Sequence, residues 1–357
     1  MKKMPEAGSI LVVRYRFIGD TILTVPFLRN LRHAYPHARI DVLVGPKSGE
    51  VLQGCPYVDE LITYDTTRFH KYDSGKGKTR SFLSYVWLLR KKQYDTVFLL
   101  KRSFSSAALA FLIGARRRIG YDTEGRGFLL TDRVPWRKDV HEVDSLLSVL
   151  TAVGIDIDDG RPEAFITADE LAQVEEIEPR LKNNSSLVLI HAAAAHPDKL
   201  YPLESWARLI GRLRQELHLE PVFSGDGQDL PLYQKLSELA GLKDPINLAG
   251  KLSLRQSMAL YSRMQLAVCV DSGPAHLASA AGVPTVALFG PTDPVRWRPY
   301  GPGHAAVYDE SLGCRPCHYN KTCQDRECLT GLSPDFVFEK CLNVYAGSPR
   351  REGCNFK

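Results

Sequence analysis

Long apolar runs are missing from this chain: nothing in its 357 residues approaches the ~20 apolar residues that a membrane-spanning helix needs. The pattern of an export signal is missing too. Lys2 and Lys3 are followed by Pro5 and Glu6, and the short run 10–13 stops at Arg14, as a first strand does. Together these absences predict a soluble protein with a cytoplasmic location. The dinucleotide fingerprint G-x-G-x-x-G occurs in neither half. Gly75-Lys76-Gly77-Lys78-Thr79 suggests a P-loop only superficially, because its first glycine is too close and no strand precedes it. Charge of one sign is in small excess, 46 Lys and Arg against 41 Asp and Glu, a net +5. That balance fits a phosphate, a lipid head group or a nucleic acid and is diagnostic of none.

A composition of 44% hydrophobic and 24% charged residues is that of an ordinary globular protein, and the length allows two domains, each with its own core. The cations are clustered in the first half: four within 71–80, then Arg90-Lys91-Lys92 and Arg116-Arg117-Arg118. Any one cluster reads equally as a solvated face, but three in one half predict an anion-facing surface. The eight cysteines are uneven. Cys55 and Cys269 read as isolated buried thiols, Cys314, Cys317, Cys323, Cys328 and Cys341 crowd one segment, and Cys354 lies in the tail. A reducing cytoplasm argues against disulfides. Cys314-x-x-Cys317 followed by Cys323 and Cys328 has zinc-type spacing, with buried or idle thiols as the alternative.

Patterning predicts strands over 10–14, 39–44, 61–64 and 96–100, short extended pieces over 118–121 and 129–134, and helices over 21–34, 82–92, 105–113 and 143–153. The second half starts again with strands over 187–191, 221–224, 266–270 and 284–289 and helices over 203–216, 230–240, 254–263 and 277–281. Strands alternating with helices argue an α/β fold with parallel sheets covered on both faces. The interval 156–186 is acidic, polar and weakly patterned. The expected organisation is a domain over 1–160, a linker over 161–186, a domain over 187–333 with a Cys-rich segment 314–341, and a terminal helix and tail over 334–357. Two such domains imply a ligand-holding cleft.

The richest stretch is Asp271-Ser272-Gly273-Pro274-Ala275-His276, between a buried-strand run and an apolar helix. Such a turn leaves the first helical amides without intrahelical partners, and Pro274 suits the first turn. Those amides and the helix dipole make an anion cradle, here read as a diphosphate site. Asp271 falls at a strand's carboxyl end, where open α/β sheets bind ligands. Plain structural turns of this kind also occur. Asp20 follows the first strand, where a carboxylate serves either as helix N-cap or as a base for an acceptor hydroxyl. Lys199, after the strand 187–191, is either a surface lysine or a phosphate-neutralising one. In Ser224-Gly225-Asp226-Gly227-Gln228-Asp229 a carboxylate can bind ribose hydroxyls, or the segment is a polar turn.

The combination is more specific than its parts. Phe17-Ile18-Gly19-Asp20, Asp198-Lys199-x-x-Pro202 with Trp206, Asp271-Ser272-Gly273-Pro274-x-His276 and Phe289-Gly290-Pro291-Thr292-Asp293-Pro294 occur in that order. Arg102-Ser103-Phe104, Ile119-Gly120-Tyr121-Asp122 and His141-Glu142-Val143 join them. Over about 10–344 this resembles the glycosyltransferase family 9 heptosyltransferases, nearer the heptosyltransferase II type.

The resemblance implies a GT-B fold of two Rossmann-like domains, the first binding acceptor and the second ADP-heptose, with inversion and no catalytic metal. It implies Asp20 as general base and Lys199 on the donor diphosphate. Asp271, Ser272, Gly273 and His276 match the segment that holds sugar and phosphates, Leu252 the residue on adenine, and Asp229, or else Gln228, the ribose contact. Ala193-Ala194-Ala195 departs from relatives that carry hydroxyl residues there, so backbone amides would supply those contacts. The implied partners are a nucleotide-sugar donor, an anionic lipopolysaccharide core acceptor and the inner membrane surface, with no nucleic acid. A structural metal at the cysteine cluster is implied by some similar protein-modifying enzymes that hold iron there. Rival readings are a family member acting on a different acceptor and a catalytically silent nucleotide-sugar-binding paralogue. A GT-B epimerase needs a second acid/base set around the sugar, which is not evident.

Overall fold

The computed structural model describes residues 7–15, 17–65, 81–182, 184–319, 323 and 325–348. The cation cluster within 71–80 and Cys354 lie outside the described residues. The chain divides into two compact units, Met1–Phe165 and Ile166–Lys357.

The first unit is built on six parallel strands: β1 (Ser9–Val13), β2 (Arg39–Val44), β3 (Glu60–Thr63), β4 (Thr96–Leu99), β5 (Arg117–Tyr121) and β6 (Asp132–Val134). Their order across the sheet is β3-β2-β1-β4-β5-β6. The central strands β1 and β4 are apolar after their first residues, Ser9 and Thr96, because both faces of the sheet are covered. One face, with Leu11, Val13, Leu43, Val97 and Leu99, packs on α3 (Phe82–Arg90) and α4 (Phe104–Leu112). The helix expected over 21–34 is two helices, α1 (Ile18–Ile22) and α2 (Val25–Ala34). Pro26 explains the break: it has no N–H for the Ile22 carbonyl and its ring crowds that carbonyl. The unit's remaining helix, α5 (Glu142–Thr151), packs on α2.

The second unit repeats the plan. Its strands are β7 (Leu187–His191), β8 (Glu220–Phe223), β9 (Ile246–Asn247), β10 (Leu266–Val270), β11 (Thr285–Leu288) and β12 (His304–Val307), all parallel, in the order β12-β11-β10-β7-β8-β9. The interval expected to be a linker holds a helix, α6 (Ala168–Ile177). It buries only Leu171 and Val174, and is fixed instead by a Thr167–Glu170 capping box and by Glu170 pairing with Arg255 at 2.6 Å. One core joins β7, β8, β10 and β11 to α7 (Leu203–Glu216), α8 (Leu230–Leu239) and α13 (Pro334–Ala346), with Trp206, Tyr233 and Phe338 among its members. Outside that core, α9 (Leu254–Ser262) packs on α6 and on α10 (Gly273–Ala280), which lies on β10 and β11. Two short helices, α11 (Pro294–Trp297) and α12 (Glu327–Thr330), complete the set.

Both sheets therefore have the Rossmann order, in which direction reverses between β1 and β4 and between β7 and β10. Ligands of such sheets bind outside the carboxyl ends at that reversal.

Candidate active site

In the second unit the reversal is occupied by the residues that the sequence singles out. Lys199 follows β7 and Asp271 follows β10, and the Lys199 ammonium meets the Asp271 carboxylate at 2.7 Å and its carbonyl oxygen at 3.0 Å. Thr292, in the loop after β11, donates its hydroxyl to the same carboxylate oxygen. Burial works against the Lys199 charge, but Asp271 outweighs it and holds the lysine pKa above its ordinary value. Tyr319 covers this lysine, with the ammonium 5.9 Å from the ring centre. Gly290 makes the arrangement possible: a Cβ there would stand 2.8 Å from Leu329 Cδ1 and 3.0 Å from the Asp198 carbonyl oxygen. Ser272 caps α10 in extended conformation without a side-chain bond, its hydroxyl turned back to the Val270 carbonyl at 3.0 Å. Ser272, Gly273 and Pro274 are half-buried, and His276 is buried in the first turn. A cation and a helix amino end thus lie at the same sheet edge, where they can meet an anion.

A second group lies after β8. The Asp229 carboxylate accepts from the Asp226 backbone N–H at 2.9 Å, and Asp226 from Gln228 N–H at 2.7 Å, so the polar turn is formed as a capping box. Burial raises the Asp229 pKa. The half-buried Leu252 belongs to the loop before α9, tied to this turn by the Gly250 N–H donating to Gly225 O at 3.0 Å. Asp229 and Leu252 therefore stand on two joined loops. Behind them His191 Nδ1 is 2.7 Å from the Ser224 carbonyl, which also accepts from the Tyr233 hydroxyl at 2.8 Å. A carbonyl only accepts, which assigns the imidazole proton to Nδ1. Burial drives the His191 pKa down to about 4, so the ring is neutral.

In the first unit Asp20 is the third residue of α1, and Phe17 takes the N-cap position. The N-cap alternative for Asp20 is thereby corrected: Ile18 already has helical geometry, which leaves the carboxylate inside the first turn. Arg14, at the end of β1, lies 3.6 Å from Asp20 and 2.8 Å from Glu142, the first residue of α5. It also donates to the Leu100 carbonyl at 3.0 Å. Burial opposes the Arg14 charge, yet the two carboxylates hold its pKa above the usual value. One buried guanidinium thus serves two carboxylates of which Asp20 is the more exposed, at 23% against 4% for the side chain. Beyond β4, Arg102 lies over the Trp136 ring at 3.9 Å and Lys101 over Tyr15 at 3.8 Å, giving that edge a cationic rim.

Residues 84–327 match Glycosyltransferase family 9 (heptosyltransferase). The chain belongs to glycosyltransferase family 9. Among proteins similar to this glycosyltransferase is the Lipopolysaccharide core heptosyltransferase OpsX of Haemophilus influenzae, 25% identical, with 85% of each chain covered. Lipopolysaccharide heptosyltransferase 2 of Salmonella typhimurium is 30% identical over 80% of this chain and 84% of its own. A glycosyl transferase family 9 crystal structure from Veillonella parvula superimposes with a TM-score of 0.81 at 26% identity, covering 96% of this chain and 98% of that one. The GT-B fold expected for this glycosyltransferase, two Rossmann-like α/β units, is the fold observed.

Sequence reasoning about this glycosyltransferase missed Thr292 as the partner of Asp271 and Glu142 as the second claimant on Arg14. Both lie in quoted motifs, but pairing across 21 and 128 residues leaves no local trace. The basic clusters are partly structural: Lys92 pairs with Glu60 at 2.6 Å and Arg117 with Asp132 at 2.6 Å, leaving Arg90, Lys91 and Arg116 exposed. Of the cysteines, Cys55, Cys269 and Cys341 are buried, and burial pushes Cys55 and Cys341 up to about 12. Cys314 and Cys323 are exposed and Cys317 and Cys328 half-buried, all as thiols. Among the described residues, no three His, Cys, Asp or Glu side chains form a set that could hold a metal ion.

Proposed function

We propose that the protein moves heptose from ADP-heptose to the inner core of lipopolysaccharide, with inversion at the anomeric carbon. The observation that carries this reading is the Lys199–Asp271 pair beside the amino end of α10, at the reversal of the second sheet. As the anomeric C–O bond to the diphosphate breaks, negative charge grows on the ADP oxygen. The Lys199 ammonium and the α10 amides offset that charge. An acceptor hydroxyl forms the new C–O bond and gives its proton to Asp20. A carboxylate is a weak base for a hydroxyl, so proton transfer accompanies bond formation. Leu252 packs on adenine, Asp229 or Gln228 meets the ribose, and Asp271 fixes Lys199. The segment Ser272, Gly273 and His276 holds sugar and phosphates.

In this reading catalysis uses no metal, so chelation leaves the rate unchanged. Elemental analysis of the purified protein tests separately for a structural metal at Cys314, Cys317, Cys323 and Cys328. The reading places the enzyme in the cytoplasm, peripherally at the inner membrane face, acting on a glycolipid and on no nucleic acid. Among the described residues no helix is long and apolar enough to cross a membrane.

The test is ADP release from ADP-heptose with and without heptosyl-Kdo2-lipid A. Acceptor-dependent release is the expected result. Saturable ADP-heptose binding without release would move the search to other acceptors, and no binding would sink the donor assignment.

A further inference from the structure

Twelve large hydrophobic side chains are exposed among the described residues, and six of them belong to α3, α4 and the loop after β5, whose inner sides fill one core on the same face of the first sheet. Leu83 and Trp87, four apart on α3, are 71% and 63% exposed. Phe104, Phe111 and Leu112 on α4 and Phe128 in the loop after β5 complete the group, with the Phe104 and Phe128 rings 6.2 Å apart. The opposite faces of the two helices, with Tyr85, Leu89, Ala107 and Ala110, fill the core on the sheet. Each helix therefore carries large apolar side chains on its outer side as well, Ser105 being the polar residue among them on α4, although only the inner side has the sheet to cover it. Water is an unfavourable neighbour for such a side, and contiguous patches of this kind mark docking surfaces.

Charge decides what docks there. The segments 82–90 and 104–112 contain no Asp or Glu, while Arg90, Lys91 and Arg116 are exposed at their carboxyl ends. The Lys91 ammonium lies 3.4 Å from the centre of the Trp87 ring, and the Arg118 guanidinium 5.5 Å from that of Phe111. Aromatic side chains beside Lys and Arg suit the boundary between hydrocarbon and head groups, where the ring enters and the cation reaches a phosphate. Glu124, in the loop that carries Phe128, accepts from the Phe104 N–H at 3.1 Å and is outnumbered by Arg90, Lys91 and Arg116, so two copies pairing by this face would bring like net charge together.

We propose that the outer face of α3 and α4, with Phe128, is a docking surface for a bilayer containing anionic phospholipid. The inference rests on the reading above, in which the acceptor is a membrane-held glycolipid. Docking by this face keeps the first unit at the surface where that acceptor resides.

The test is co-sedimentation of the full chain with vesicles of phosphatidylcholine alone or mixed with phosphatidylglycerol. The wild type is expected to bind the mixed vesicles more tightly. Leu83→Ser/Trp87→Ser/Phe111→Ser lowers partition by at least about tenfold, since three large apolar side chains no longer leave water for hydrocarbon. Its circular dichroism and its transfer to a deacylated, water-soluble acceptor stay at wild-type values. Arg90→Gln/Lys91→Gln weakens binding to the anionic vesicles by about fivefold per charge. The proposal is overturned if the triple variant sediments like the wild type. It is also overturned if wild type acts on the soluble acceptor but binds neither vesicle, or if the triple substitution dissociates a dimer in sedimentation velocity. Vesicle binding lost in the triple variant, with no transfer by either protein, would support the surface and sink the transferase reading.

Discussion

Asp20 and Glu142 share the buried guanidinium of Arg14, at 3.6 Å and 2.8 Å, and differ in exposure. Glu142 sits at hydrogen-bond distance and is sealed; Asp20 stands farther off and meets solvent. Asp20→Asn keeps the shape and removes the proton acceptor, so transfer is expected to fall by ~10²–10⁴, the range for a general base. ADP affinity by calorimetry should not change. Lys199→Ala should act on the donor instead, weakening ADP-heptose binding roughly tenfold to a hundredfold, as loss of a ~1.5–3 kcal/mol charge-assisted contact does. His191 gives a pH dependence. Its pKa is about 4 in the folded chain against 6.5 for an ordinary histidine, so between those values the unfolded chain binds a proton that the folded one refuses. Stability is whole above pH 6.5 and falls as pH drops towards 4, by about 3 kcal/mol from this residue. Urea unfolding from pH 7 to 4 should show that slope, and His191→Asn should flatten it. Of these roles only the positions were legible in the sequence. Lys199 and Asp271 are 72 residues apart, and nothing local announces that one holds the other.

Elements with a one-sided or continuous apolar signal were legible to the residue: β7 and β10 as unbroken apolar runs, α7 by its amphipathic stripe. The edge strands of the second sheet were not, whereas those of the first, β3 and β6, fall within the expected 61–64 and 129–134 to within a residue or so. β9 has two residues, and β12 is three-quarters half-buried, so neither has a run to detect. The helix α6 was unreadable for a different reason, because a cap and an ion pair hold it rather than apolar periodicity. Glu170→Ala removes the ion pair and the reciprocal half of the box, leaving the Thr167 hydroxyl on the residue 170 N–H, and should cost about 1–2 kcal/mol in urea unfolding, the scale of a lost hydrogen bond to a charged group. In the second unit, Gly290 is where the loop after β11 meets the Asp198 backbone and Leu329. Gly290→Ala must push Leu329 or the Asp198 backbone aside, costing ~1–3 kcal/mol as overpacking does, and should raise the KM for donor more than it lowers kcat.

At the scale of the molecule, the two units repeat one strand order, and each has its own core. The proposed donor residues all belong to the second unit. ADP should therefore raise the melting temperature of wild type and of Asp20→Asn alike, by the equivalent of ~2.7 kcal/mol at a hundredfold excess over Kd, and raise that of Lys199→Ala less. The second core is closed from a distance in the chain: Val337, Phe338 and Cys341 of α13 pack with Trp206 of α7 and Leu266 of β10. Synthesis on the ribosome meets this as a delay. The first unit has every residue of its sheet once the chain has passed Phe165, whereas the second lacks a wall until Cys341 has emerged. From the end of β10 at Val270 to Cys341 the chain runs 71 residues, roughly 4–14 s at ~5–20 residues per second, during which β7, β8 and β10 have no complete cover. The nascent second unit, not the first, is where a holding chaperone would find its apolar strands.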